Sequence, residues 1–159
     1  MAPLPESTVD TRLAEALEAL LVAEVGEHLA GGVCFLEEPQ QLERPSLKLP
    51  MLAGFLERFG ERVLEKDHET GVLLALVEKV ERARNTDPAR RWWRQRLSYL
   101  VQDTVLRASE DGDLLAEGDR YLYSLTTFDR QPTYYLSDQR AHLVTPMRLT
   151  LHTHRLFFE

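Results

Sequence analysis

The sequence is poor in cysteine, in lysine and in long apolar runs, and each shortage removes a class of protein. Cys34 is the only cysteine in 159 residues, so no intrachain disulfide can form and a reducing compartment is expected. No uninterrupted apolar stretch approaches the roughly 20 residues that a membrane-spanning helix needs, so no membrane partner is expected. The opening Met-Ala-Pro-Leu-Pro-Glu has neither the basic start nor the apolar centre of a signal peptide. Only three of the 19 basic residues are lysine (Lys48, Lys66 and Lys79). A GC-rich genome would give that bias as readily as a need for forked guanidinium contacts. The signatures of chemistry are missing too: there is no G-x-S-x-G, G-x-G-x-x-G, phosphate-binding P-loop or H-E-x-x-H. Glu37, Glu38, Asp67 and Glu69 could do acid–base work or hold a metal, but no nucleophile accompanies them, and acids in loops are usually just solvated. No enzymatic activity and no cofactor are expected.

What is present fits one folded domain over 1–159. Hydrophobic residues at 43% and charged residues at 28% suit a globular chain large enough to bury a core without disulfides or metal. The net charge of −7 argues against a general nucleic-acid binder, whose affinity comes from neutralising phosphates. The charge is unevenly spread. Residues 1–87 carry 17 acids against 9 Lys/Arg, and residues 88–159 carry 9 against 10. The halves could therefore complement one another between copies in a head-to-tail ring, although pairing within one chain is the plainer reading.

Taken in order, residues 1–8 form a frayed lead-in, with Pro3 and Pro5 opposing helix. Asp10 can cap a helix in which Leu13, Leu17, Leu20, Leu21, Val25 and Leu29 recur at helical spacing and which Gly31-Gly32 ends. Val33–Leu36 reads as a short strand, and residues 46–49, extending toward Leu52, as a second strand between Pro45 and Pro50. The stretch 50–70 is open. Leu52, Phe55, Leu56, Phe59 and Val63 make a helical stripe, yet Gly54 and Gly60 would each cost a helix about 1 kcal/mol. Either a short amphipathic helix or an extended excursion fits, followed by a loop over 66–71. Val72–Val77, VLLALV, suits a strand buried on both faces and equally the first turns of a helix through Arg84.

Asp87 and Pro88 mark the start of a second long helix, whose core stripe is Trp93, Leu97, Leu100, Val101, Val105 and Ala108 and which ends near Glu110–Asp113. On it Arg90 and Arg94 would form an outward ridge, with Arg91 nearby, and Trp92, Arg96 and Tyr99 another flank. The cluster Arg90–Arg96 resembles a single-stranded nucleic-acid site, but a cation–π-bearing surface or subunit contact suits the acidic chain better. The end is β: Tyr121–Thr126 alternate, Tyr134–Leu136 follow a turn at Asp129–Pro132, and 137–139 turn again. In Met147–Phe158 the apolar Met147, Leu149 and Leu151 alternate with Arg148, Thr150, His152 and His154, as in a long strand with one buried and one wet face. His152 and His154 point the same way on such a strand and are weak candidates for a metal, which would need further ligands. The order of elements predicts an α+β domain: a mainly antiparallel or mixed sheet packed with an N-terminal helix and a second long helix.

Val33–Leu49, VCFLEEPQQLERPSLKL, resembles the early segment of the tail-terminator (tail-completion) proteins of long-tailed phages and prophages. There an N-terminal helix leads to a short strand, a Glu/Gln-bearing loop, Arg-Pro and an apolar strand; Glu37, Gln41, Arg44 and Pro45 fall at matching steps. Gly112-Asp113-Leu114-Leu115 and the closing strands resemble that family's end. The resemblance implies that VLLALV is a strand. It also implies a virion structural protein without chemistry, forming a ring, commonly a hexamer, on the head-proximal end of the tail tube. Its partners would be itself, the tail tube protein and the head-tail connector, with DNA only as passing cargo. Interface candidates are then Arg90, Arg91, Arg94, Arg148, His152 and His154. The alternatives are a cytosolic bacterial α+β interaction module or a His-dependent metal-binding protein.

Overall fold

In a computed structural model that describes residues 9–43, 47–62, 67–80, 88–112, 114–116, 121–136 and 142–155, two helices cover one face of a seven-stranded mixed sheet. The fold is α+β. The elements are α1 (Val9–Val25), β1 (Val33–Phe35), β2 (Met51–Arg62), β3 (Asp67–Lys79), α2 (Pro88–Glu110), β4 (Leu115–Ala116), β5 (Tyr121–Arg130), β6 (Tyr134–Leu136) and β7 (His142–Arg155), with 3-10 turns at Gly26–His28 and Pro39–Glu43. The sheet order is β1-β2-β3-β7-β5-β4, and β6 also pairs with β7. Among the described residues only β1 and β2 run parallel; every other pairing there is antiparallel.

The helices dock by the stripes their spacing lays down. Leu13, Leu17, Leu21 and Val25 of α1, with Leu97, Val101, Val105 and Ala108 of α2, meet Leu52, Val72, Leu74, Leu76, Tyr123, Met147, Leu149 and Leu151 of the sheet. Each such side chain contributes about 1.5–3 kcal/mol when fully buried. α2 begins at Pro88 and stops at Glu110, where Gly112 takes the left-handed φ of 73° that favours glycine. α1 is shorter than its stripe suggested. It ends at Val25 and tightens into the 3-10 turn, although Leu29 beyond that turn is still buried. Asp10 lies inside the helix, one residue past its start.

The stretch 51–79 is a long β-hairpin, which corrects the helical reading of its stripe and the loop expected over 67–71; residues 63–66 lie outside the described residues. Met51 pairs with Val77 and Arg62 with Asp67, with one irregularity between Leu56 and Arg58. The helical stripe arises because both faces of β2 are covered. Leu52 packs under the helices, while Met51, Ala53 and Phe55 face a second cluster with Leu42, Ala75, Val77 and Val144. A strand apolar on both sides loses its alternation. Gly54 is required for a packing reason, since a Cβ there would fall 2.7 Å from the Phe35 ring. The strand expected at 46–49 is not formed by its described residues: 47–50 are irregular, and β2 starts only after Pro50.

The second cluster also explains why the far face of the sheet is only partly wet. The segment around the Pro39–Glu43 turn folds across it, placing Leu36, Leu42, Leu47 and Leu49 over β2, β3 and β7. His142 Nδ1 lies 2.7 Å from the Leu42 carbonyl oxygen, donating to it and pinning that segment down.

β7 carries the expected alternation, with Met147, Leu149 and Leu151 buried and Arg148 and His154 exposed. It is also the spine of the sheet, paired with β3 on one side and with β5 and β6 on the other. The turn expected at Asp129–Pro132 is instead a break. β5 and β6 run in the same direction along β7; the further turn expected at 137–139 lies outside the described residues. Pro146 supplies a reason for the break. Its carbonyl accepts from Gln131 N at 3.0 Å, and in a strand the N–H of a residue points to the same side as its C=O. Proline has no N–H to offer there, so regular pairing lapses opposite it.

Candidate interaction surface

α2 presents three different surfaces, and they divide the basic cluster Arg90–Arg96 among them. The inward surface is electrostatic as well as apolar. With Val72, Leu74 and Leu76 of β3 facing the helices, alternation puts Glu78 on that face too, and its side chain is 1% exposed. Arg94 Nε reaches Glu78 Oε2 at 2.6 Å, and Arg90 Nε reaches Oε1 at 2.6 Å. The Arg90 guanidinium also lies 3.8 Å over the Trp93 ring. Two cations thus share one buried carboxylate, an arrangement in which the ionised partners desolvate together and each becomes expensive to remove alone. Arg94 Nη2 has no hydrogen-bond partner among the described residues.

The outward surface carries an apolar stripe. Trp92 is 60% exposed, Tyr99 55% and Leu106 39%. These residues are spaced by seven, which returns a helix to nearly the same side, so they form one ridge along its length. Arg96 and Asp103 flank it, both exposed. Tyr and Trp with arginine neighbours are the side chains that most often anchor protein contacts.

The third surface faces β5. There the helix and the β5–β6 break enclose an open groove of about 610 Å³, lined among others by Arg91, Arg94, Gln102, Asp129, Arg130 and Thr145. Arg130 stacks 3.8 Å over the Tyr99 ring and so joins the groove wall to the exposed ridge. Ser109 Oγ accepts from Leu125 N at 2.8 Å, tying the helix to the outer edge of β5.

The six residues expected at an interface therefore do not share one surface. Arg94 is buried, and Arg90 is half-buried against the same glutamate; the outward ridge they were expected to form is replaced by Trp92, Tyr99 and Leu106. Arg91 is exposed on α2. Arg148, His152 and His154 lie on the opposite face of the sheet, with Arg148 3.4 Å from Glu57. The two histidine rings meet edge to face, centroids 4.4 Å apart. Among the described residues no group of three His, Cys, Asp or Glu stands close enough to hold a metal ion, and His142 is engaged with Leu42 instead. β7 itself is not an edge, so its polar row is a face bounded by neighbouring strands.

At the far edge, β1 is closed off by α1: Phe35 N donates to Glu18 Oε2 at 3.2 Å. The same carboxylate acts on exposed Cys34. Desolvation first, and the Glu18 charge second, push its thiol above the ordinary value, which disfavours the reactive thiolate.

Sequence reasoning missed Glu78 and the groove. A signal for Glu78 existed: once VLLALV is a strand, position 78 continues the inward row and needs a cation. For the groove the signal was Pro146 within a strand pattern, opposite Gln131 at the break. No described helix is long and apolar enough to cross a membrane. The chain matches no protein-family model and no curated protein sequence.

Proposed function

We propose that this chain is a structural subunit that assembles with copies of itself into a ring, in the manner of the tail-terminator proteins that its Val33–Leu49 segment resembles. In that role it caps the head-proximal end of a phage tail tube, ends tube growth and offers the head connector a surface to join. The observation that carries assembly is the exposed ridge Trp92–Tyr99–Leu106 on α2. Apart from the stacking of Arg130 on Tyr99, the folded chain leaves these large side chains in water, whereas a partner surface would gain from burying them.

Two further features support a head-to-tail contact between copies. The strands of the acidic first half, β1-β2-β3, are contiguous in the sheet, and those of the second half follow them. Opposite flanks of one subunit thus differ in charge, which favours a head-to-tail contact between unlike surfaces. A dimeric interaction module would bury the same ridge against its own copy around a two-fold axis.

Native mass spectrometry and negative-stain microscopy of the purified chain separate these outcomes. A closed ring of uniform copy number, lost in Trp92→Ser/Tyr99→Ser while the variant keeps its helical spectrum and Tm, is the expected result. A dimer supports the module, and a monomer at micromolar concentration overturns assembly through the ridge. Added to polymerising tail tube protein, the ring should shorten the tubes.

A further inference from the structure

The groove between α2 and the β5–β6 break has a use of its own, and it does not rest on the ring reading. Its floor contains Arg94, only 8% exposed, whose Nε is spent on Glu78 and whose Nη2 has no partner among the described residues. A buried guanidinium with an idle donor is costly. The charges around it deepen the imbalance. Arg90 and Arg94 share the single carboxylate of Glu78, leaving one positive charge over. Arg91 and Arg130 at the rim add two more, against one acid, Asp129. The rest of the lining is neutral and suited to orienting a small polar molecule: Gln95, Ser98, Gln102, Thr133 and Thr145 on the polar side, with Tyr99, Phe128 and Pro132 as walls. Thr133 and Thr145 hydroxyls hydrogen-bond to each other at 2.9 Å across the break, fixing that wall.

We infer that this groove binds an oxyanion, the phosphate or carboxylate group of a small ligand, with the buried Arg94 guanidinium supplying positive charge beneath it and Arg91 and Arg130 donating to it from the rim. The cavity volume is that of a small-molecule site. An anion there supplies the negative charge that the two-to-one arginine–glutamate cluster lacks, and the rim guanidiniums of Arg91 and Arg130 offer the paired N–H donors that two oxygens of a carboxylate or phosphate accept.

Isothermal titration of the full chain with inorganic phosphate, and separately with glutarate, tests this at fixed ionic strength in a chloride buffer. Saturable one-site binding of at least one anion is expected. Phosphate alone points to a phosphorylated ligand, glutarate alone to a carboxylate, and both to recognition of the oxyanion itself. Arg91→Gln/Arg130→Gln leaves the Glu78 pairs intact and should keep the Tm while weakening binding about tenfold, the worth of a charged hydrogen bond or two. Arg94→Lys keeps the charge opposite Glu78, removes the guanidinium from the groove lining and should weaken binding as well. Absence of saturation with both anions, or affinity unchanged in both variants, overturns the assignment.

Discussion

At the scale of single residues, Glu78 is where the fold is most exposed to change. Its carboxylate is buried under α2 with both oxygens held by arginines. Glu78→Ala should cost about 3–5 kcal/mol, because it leaves Arg94 as an uncompensated buried charge. Replacing both partners, as in Glu78→Leu/Arg94→Leu, should recover a large part of that loss, since Arg90 is exposed enough to turn its head group to water. Urea denaturation of the single and double variants measures both; a double variant less stable than Glu78→Ala would sink this account. Cys34 gives a second residue-scale expectation. A raised thiol pKa means less thiolate at any given pH, so iodoacetamide should alkylate it more slowly at pH 8 than it does a free cysteine. The pH of half-maximal rate should lie above the ordinary thiol range. Glu18→Gln should bring it down only partly, because desolvation is the larger cause. A rate indifferent to both pH and Glu18 would contradict the electrostatic picture.

At the scale of elements, the hairpin of β2 and β3 depends on a ring lying over a backbone. Phe35 of β1 covers Gly54, and an added Cβ there meets three ring atoms at 2.7 to 2.8 Å. Gly54→Ala should destabilise by about 1–3 kcal/mol through overpacking, and Phe35→Leu in the same chain should restore much of it. Thermal unfolding of the pair decides the matter: additive losses would mean that the ring is not the obstacle. α2 belongs to this scale too. Its inward side was legible from spacing, and Trp93, Leu97, Val101, Val105 and Ala108 all pack against the core as their periodicity requires. Its arginines were not. Arg94 follows Arg90 by one turn and reads as a solvated ridge until a glutamate from a distant strand is placed beneath it. Periodicity carries no information about that partner.

For the whole molecule, the charge difference between its halves and the exposed ridge make separable contributions to assembly. Raising salt from about 0.1 M to 1 M shortens the screening length from about 10 to 3 Å. Sedimentation velocity should therefore show assembly weakened by salt yet not abolished, because burial of Trp92 and Tyr99 is not screened. Complete dissociation in salt would assign the contact to charge alone, and insensitivity to salt would remove the charged halves from it.

The sequence by itself determined whatever is local and periodic. The α1 and α2 stripes, the start of α2 at Pro88, its stop at Gly112 and the two-sided row of β7 follow from side-chain spacing and from the backbone limits of proline and glycine. Together these fixed the α+β class. Tertiary structure decided the rest. An apolar run such as VLLALV suits a helix or a strand equally, and only its pairing with β2 and β7 makes it a central strand covered on both faces. The Glu78 cluster and the groove beside it join residues from β3, α2 and the β5–β6 break, segments distant in the chain. Their chemistry comes into being only when the sheet brings them together, because a buried charge has a cost, and so a need for a partner, only after burial.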